Sequence, residues 1–448
     1  MKKQTQIISG PIGRNMIRFT IPVILTGLLQ LFYNMADVMV VGRFAGKESL
    51  AAVGSTGSLT NLFITLFVGL SSGASVCVAQ RIGAKDKDGI YKAVHTAIGL
   101  AIIGGLFICV SGLLLSKRML IWMDAPANVL EEAALYMKIL FLGMPFNLLY
   151  NFGAGILRAS GDTKHPLIFL SISGAVNVVL NLFLVIGFHL GAAGVGIATA
   201  VSQILSAIFT LSFLARKSPV CKLYFRKIRI HMSYFFRIIK IGIPAGLQGM
   251  IFSFSNVMIQ SSVNSFGDIV VAGNSSAMNI GDLAFIAMNA VHQAMIAFVG
   301  QNVGGKQWDR LKKIILIGCL QVSLLGIACS GFIALFGKQL LSLYTPGEEE
   351  VIAYGVLRLN YILPLYFACG LMDTLVAAQR GMGTSLIPML ASVFGVCGFR
   401  LVWLYTIFAQ HRTLEVLYLS YPVSWALTAI VQALFCTMVY RNLIKKNN

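Results

Sequence analysis

Acidic side chains are scarce: Asp and Glu number 16 in 448 residues, and charged residues of both signs make up 11%. With 57% hydrophobic residues and a mean hydropathy of +0.80, so little charge cannot clothe a water-facing surface. A soluble globular fold is therefore excluded. Paired cysteine spacing is missing as well. The eight cysteines are scattered without a CxxC, so they read as small apolar packers and not as metal or dithiol sites. No GxxxxGK[ST] phosphate loop occurs, so ATP hydrolysis is not expected of this chain. No HExxH or paired-histidine metal spacing is found either, which disfavours an intramembrane enzyme, and no cofactor is expected. The run from Gly191 to Gly196 lacks the preceding strand and later acid of a dinucleotide loop. It reads as close helix packing by small residues.

What is present is long apolar stretches. Each hydrocarbon crossing needs roughly 20 residues of helix. Twelve segments qualify: 17–41, 50–79, 94–115, 130–153, 166–187, 191–214, 241–264, 270–300, 314–336, 350–378, 386–408 and 415–440. The expected fold class is an all-α integral membrane protein with six transmembrane helices in each half. The net charge of +19 belongs to this topology. Most basic residues fall in segments that share one side, including Lys2, Lys3, Arg81, Lys85 and the run from Arg216 to Lys240. The positive-inside rule then places both termini in the cytoplasm of a bacterium-like cell, with the protein multi-pass in its inner membrane. A nucleic-acid partner is not expected. No cleavable signal is read at the N-terminus, so the first span is expected to remain as an anchor.

The chain is also written twice. Ile21-Pro22 is answered by Ile243-Pro244, and Gln80 to Lys85 by Gln301 to Lys306. Arg158-x-x-Gly161-x-Thr163-x-x-Pro166 is answered by Arg380-x-x-Gly383-x-Ser385-x-x-Pro388. The repeat divides the chain into a lobe at 1–215, a basic linker at 216–240 and a second lobe at 241–448. The linker interleaves its cations with Tyr224, Phe225, Tyr234, Phe235 and Phe236, a pattern suited to anionic membrane lipids. Two homologous membrane halves around a central site are the design of an alternating-access transporter.

An ionisable group at membrane depth costs about 2.5–3.5 kcal/mol on insertion scales, so each needs a reason. Asp37 closes the first span. At 1.5 Å per residue it lies about 26 Å along from Thr20, while Asn177 and Asn181 lie about 16 and 22 Å along the fifth span. Thr199 lies about 12 Å into the sixth span from its outer end. The four can meet in the outer half of the first repeat, as a hard-oxygen cluster for Na⁺ or as a carboxylate that takes up a proton. Interhelical hydrogen bonding is the alternative for the two asparagines. In the second lobe the candidates are Asp373, Arg400 as its neutralising partner, and Asp282 as a cavity-lining acid. Arg358 also falls within a span, and His292 reads as a satisfied core histidine. Pro22 and Pro244 are either hinges or first-turn prolines.

These residues resemble the multidrug and toxic compound extrusion (MATE) family nearly end to end. The resemblance is carried by Asp37-x-x-x-Val41-Gly42, Leu50-Ala51-Ala52-Val53-Gly54, Leu157-Arg158-Ala159-x-Gly161-Asp162-Thr163, Asn177-x-x-x-Asn181 and Gly194-x-Gly196-x-Ala198-Thr199, with the repeated motifs above. It implies two six-helix lobes about a central cavity and export of organic, mostly cationic compounds in exchange for H⁺ or Na⁺. It also implies a coupling role for Asp37, Asn177, Asn181 and Thr199, which would be the ligands of Na⁺ if that is the ion. Some members carry aspartate where this chain has Asn181, and Gln379 stands where Leu is commoner. The expected partners are small organic molecules and membrane lipids, and a monomer is expected. The 18 methionines and 29 phenylalanines offer adaptable contact surface for varied ligands. A lipid-linked oligosaccharide flippase of the same wider superfamily is the alternative.

Overall fold

The computed structural model describes residues 7–123, 126 and 128–447. Among them every regular element is helical, and twelve helices are long and apolar enough to cross a membrane. They are α1 (Ile12–Phe44), α2 (Gly46–Gly83), α3 (Lys87–Trp122), α4 (Leu130–Ala159), α5 (Lys164–Gly187) and α6 (Gly191–Arg216). The second half holds α7 (Met232–Asn264), α8 (Asp268–Gly304), α9 (Trp308–Tyr344), α10 (Glu349–Gly381), α11 (Leu386–Phe408) and α12 (Leu414–Lys446). The sequence-read twelve-span, six-per-half architecture is what the chain adopts. Most helices extend beyond the predicted spans by several residues.

Lipid-facing stripes follow helical periodicity. On α3 the exposed apolar residues include Ile103, Leu106, Phe107, Val110 and Leu114, and on α9 they include Leu316, Leu320, Leu324 and Ile327. Such stripes would aggregate in water and are solvated by acyl chains in a bilayer. The opposite faces hold the small residues that let helices approach. A Cβ on Gly196 would lie 3.1 Å from the Tyr136 ring on α4, so the glycine-rich start of α6 is a packing surface.

The repeated motifs are turns. Lys85 and Lys306 both adopt φ 54°, and Gly161 and Gly383 adopt φ 88° and 93°. In the first pair the residue after the turn bonds back to the Arg81 or Asn302 carbonyl, at 3.1 and 2.9 Å. In the second, Gly161 N–H reaches the Arg158 carbonyl at 2.9 Å and Gly383 N–H the Arg380 carbonyl at 2.8 Å. Glycine is needed at 161 and 383 because a Cβ in the left-handed region crowds the carbonyl.

The chain forms two compact units. One contains residues 25–242; the other contains 7–24 with 243–447. Within the second, Phe19 packs edge-on against Phe298 with centroids 5.7 Å apart, and Gln321 Nε2 donates to Thr20 Oγ1 at 3.1 Å. Within the first, Tyr33 donates to the Ser171 carbonyl at 3.2 Å. The unit boundaries fall inside α1 and α7, beside Pro22 and Pro244. Both prolines lie well inside their helices, so they are not first-turn prolines.

Residues 217–231 separate α6 from α7 and are docked on α3. Tyr224 N–H donates to His95 Nε2 at 3.1 Å, and His231 N–H to Thr96 Oγ1 at 3.1 Å. His95 Nδ1 in turn bonds the Tyr91 carbonyl at 2.7 Å, so this ring is a structural bracket.

Candidate functional site

The outer half of α1 is set against α5 by a close approach at Gly174. A Cβ there would fall 1.8 Å from the Tyr33 ring, so only glycine admits the ring. Asp37 follows Tyr33 by one helical turn, and Asn177 and Asn181 follow Gly174 by one and two turns. The Tyr33–Gly174 contact therefore sets the register of the polar residues beyond it.

Asp37, Asn177, Asn181 and Thr199 come together as the sequence spacing suggests. Asn181 Nδ2 donates to Asp37 Oδ1. Thr199 Oγ1 donates to Asp37 Oδ2 at 3.4 Å, Asn181 Nδ2 also reaches Asn177 Oδ1 at 3.3 Å, and Asn177 Nδ2 reaches Thr199 Oγ1 at 3.4 Å. Asn177 and Asn181 are 4% and 0% exposed, and Asp37 is half-buried. One atom is left over: Asn181 Oδ1 is buried with no donor. A buried acceptor without a protein partner costs roughly 1–3 kcal/mol, so this oxygen can accept from a proton donor or coordinate a small cation. Tyr136 of α4 lies within electrostatic reach of the carboxylate, a neighbour that sequence spacing does not reveal.

The second-lobe candidates are arranged differently from expectation. Arg400 does not neutralise Asp373: no ion pair joins them, and the guanidinium instead donates to Ser424 Oγ at 3.1 Å and Asn256 Oδ1 at 3.3 Å. The cation whose field reaches Asp373 is Arg380 of the repeated turn, which itself donates to Gln248 Oε1 at 2.9 Å. Asp282 is exposed and lies within electrostatic reach of Arg358. His292 bonds the Asp373 backbone carbonyl through Nδ1 at 2.9 Å, the satisfied core histidine expected. Gln379, which replaces the commoner leucine, forms an amide pair with Gln432 Oε1 at 2.7 Å, and Gln432 continues to Ser392 Oγ at 2.8 Å. That departure from the family pattern is thus a buried polar bridge between α10, α11 and α12.

Among the described residues no group of three His, Cys, Asp or Glu side chains is placed to hold a metal ion. A GxSxG string, Gly69 to Gly73, lies in the middle of α2, where Ser71 donates to the Val68 carbonyl at 2.8 Å. It has none of the strand-to-helix geometry of a nucleophile elbow.

Comparison with known proteins gives concordant findings. The MatE family pattern matches residues 22–183 and again 244–406. The chain is 28% identical over 438 residues to the probable multidrug resistance protein YoeA of Bacillus subtilis (strain 168), covering 95% of this chain and 94% of that one. It is 22% identical over 393 residues to the multidrug export protein MepA of Staphylococcus aureus (strain MRSA252), covering 86% of each. Among solved structures, a MATE crystal structure in complex with MaL6 superposes with a TM-score of 0.92 at 24% identity, over 99% of this chain and 100% of the other. A MATE structure in the bent conformation gives a TM-score of 0.91 at 24% identity, over 100% and 99%.

Proposed function

This chain belongs to the multidrug and toxic compound extrusion (MATE) family, and on that premise we propose that it is a secondary active exporter of organic, mostly cationic compounds, coupled to H⁺ or Na⁺ entry at Asp37. The observation that carries the reading is the Asp37–Asn177–Asn181–Thr199 cluster with its donorless Asn181 oxygen. YoeA, a probable multidrug resistance protein, and MepA, a multidrug export protein, are relatives along most of their length, and they support the reading of multidrug export.

The chemistry follows from the inventory of donors and acceptors. Asn181 now offers its amide N–H to a carboxylate and keeps its oxygen idle. A proton on Asp37 turns that acceptor into a donor, and a sodium ion beside it demands oxygens. Either way the Asn181 amide gains by rotating its Oδ1 toward Asp37. Occupancy thereby rewrites the hydrogen bonding between α1 and α5. Pro22, about 22 Å back along α1, lacks the N–H that would reach the Arg18 carbonyl. The helix is weakest there, so Pro22 acts as the hinge through which a change at Asp37 moves the outer half of α1. The protein works without a prosthetic cofactor, as a single chain in the bacterial inner membrane, with both termini cytoplasmic. It binds lipids and small molecules and no nucleic acid.

The test is ethidium efflux from proteoliposomes, with a pH gradient and a Na⁺ gradient imposed separately. One gradient is expected to drive efflux, and Asp37→Asn to abolish that drive while leaving a folded protein. Undiminished gradient-driven efflux by the variant would overturn the assignment.

A further inference from the structure

The helix triad that carries Asp37 has a counterpart in the second repeat, and its charge is of opposite sign. Asn34 of α1 is answered by Asn256 of α7, Thr199 of α6 by Tyr421 of α12, and Val201-Ser202 by Val423-Ser424, each 222 residues later. At the counterpart of Asp37 stands Ile259, which is buried, so the carboxylate is gone. On α11 Arg400 stands 223 residues after Asn177. The π-helical segment Val393–Gly398 supplies the extra residue, since its counterpart in α5 is regular α-helix. Arg400 thereby faces α7 and α12, as Asn177 faces α1 and α6.

Arg400 is 3% exposed, and everything it touches is neutral. Besides Ser424 and Asn256 it meets the Tyr421 ring, whose centroid is 4.1 Å from the guanidinium carbon, and the Trp425 ring at 5.5 Å. Arg358 of α10, 8% exposed, lies 5.7 Å from the same Tyr421 centroid, and its Nε has no hydrogen-bond partner. The Tyr418 hydroxyl beside Arg358 is buried and unpartnered too. The two guanidiniums feel each other's charge, and neither makes an ion pair among the described residues. Asp282 is the acid within reach of Arg358. Cation–π contacts offset part of the desolvation of a buried guanidinium, but they leave its formal charge standing. The exposed side chain of Asn256 brings this cluster to the surface.

We propose that Arg400 and Arg358 form an anion-binding site in the second repeat, taking the carboxylate of an aromatic organic acid or zwitterion whose ring lies against Tyr421 or Trp425. Planar guanidinium matches carboxylate in a two-pronged hydrogen bond, and the rings supply the apolar half of the contact. The proposal goes beyond the mostly cationic substrates of the exporter reading by adding organic acids and zwitterions, and it rests on that reading for its biological meaning. A lipid phosphate has the same chemistry, so the test separates the two sources.

Purified protein in phosphatidylcholine nanodiscs is titrated with benzoate, benzamide and benzylamine, following tryptophan emission, with thermal melting as the check of folding. Benzoate is expected to bind at least about tenfold more tightly than benzamide, as a charge-assisted pair requires. Arg400→Gln and Arg358→Gln are each expected to remove that preference while leaving benzamide binding unchanged. If Arg400→Gln does not fold, Arg400→Lys and Arg358→Gln decide. Equal affinity for benzoate and benzamide, or an unaltered preference in the folded variants, overturns the proposal. Repeating the titration in phosphatidylglycerol discs identifies the occupant. Retained benzoate binding assigns the site to the soluble anion, whereas competition that depends on Arg358 assigns the same anion site to a headgroup. Asp37→Asn is expected to keep benzoate binding, so loss of coupled efflux and loss of this site are separate outcomes.

Discussion

The first repeat closes its first, fifth and sixth helices around Asp37, and the second closes the corresponding three around Arg400. The backbones of the two halves agree closely where the chain turns. Lys85 and Lys306 share one left-handed φ, and Gly161 and Gly383 share another with matching hydrogen bonds. The polar interiors disagree at four positions: Asp37 against Ile259, Thr199 against Tyr421, Asn177 against Arg400, and Asn181 against Leu404. Duplication therefore preserved the parts that fix helix ends, while buried polar positions diverged. Turn geometry tolerates few substitutions, because a wrong residue strains a left-handed backbone or frees a buried carbonyl. A buried polar cluster can change sign provided that its new members still find partners.

Asp37→Asn breaks this comparison most severely, since it removes the formal charge from the first triad. Gradient-driven ethidium efflux is expected to fall by tenfold or more, in line with about 1.5–3 kcal/mol for hydrogen bonds to a charged group. Gly174→Ala comes next. The added methyl collides with the Tyr33 ring, and overpacking of this kind costs about 1–3 kcal/mol. A lowered melting temperature and lost efflux are expected, with Tyr33→Ala in the same chain restoring both. An unshifted melting temperature would show that α1 and α5 do not need their close approach.

Ile259→Asp sharpens the comparison by giving the second repeat the acid of the first. The new carboxylate is expected to pair with Arg400 and to weaken benzoate binding by about tenfold, the scale of one lost charge pair of roughly 1.4 kcal/mol. Unchanged benzoate affinity would place Arg400 out of reach of that position.

The smallest effect concerns the loops. Asp86 caps α3 by accepting the Gly89 N–H at 2.9 Å, and its counterpart Gln307 makes no side-chain cap on α9. The Gly89 N–H, and after it Arg81, hold the Asp86 carboxyl below its ordinary range. A carboxyl lowered in the folded state stabilises above its unfolded pKa, and that contribution is lost as pH falls through the folded value. The melting-temperature difference between the parent and Asp86→Asn is expected to be full near neutral pH and to close on acidification. Gln307→Asp is expected to gain about 0.5–1 kcal/mol with the same pH dependence. A difference that stays constant with pH would remove charge from the account.

Much of this was legible beforehand. The twelve spans follow from hydropathy and length, and the Asp37 cluster follows from helical rise and i,i+4 spacing, which are properties of the backbone alone. The second lobe was not legible in the same way. An arginine and an aspartate in neighbouring spans suggest a pair, but Arg400 chose Ser424, Asn256 and two rings, leaving Asp373 to Arg380. The π-helical segment before Arg400 shifts the face on which it lies, and α-helical counting cannot anticipate that shift. Aligning the two halves at 37 and 259 shows that the acid is lost, but the arginine enters the triad only through the π-helical shift.

The sequence by itself determined that this is a duplicated, twelve-helix membrane protein with one conspicuous acid in its first span. Solvent exclusion and helical periodicity act on each segment without reference to its neighbours. Only the tertiary structure decided which buried charges meet, that Asn181 keeps an idle oxygen, and that the helices bearing Pro22 and Pro244 pass between units beside those prolines. The reason is that a partner for a buried polar group is chosen by side-chain reach in three dimensions. Several spans offer acceptors at similar depth, and packing at positions such as Gly174 selects among them.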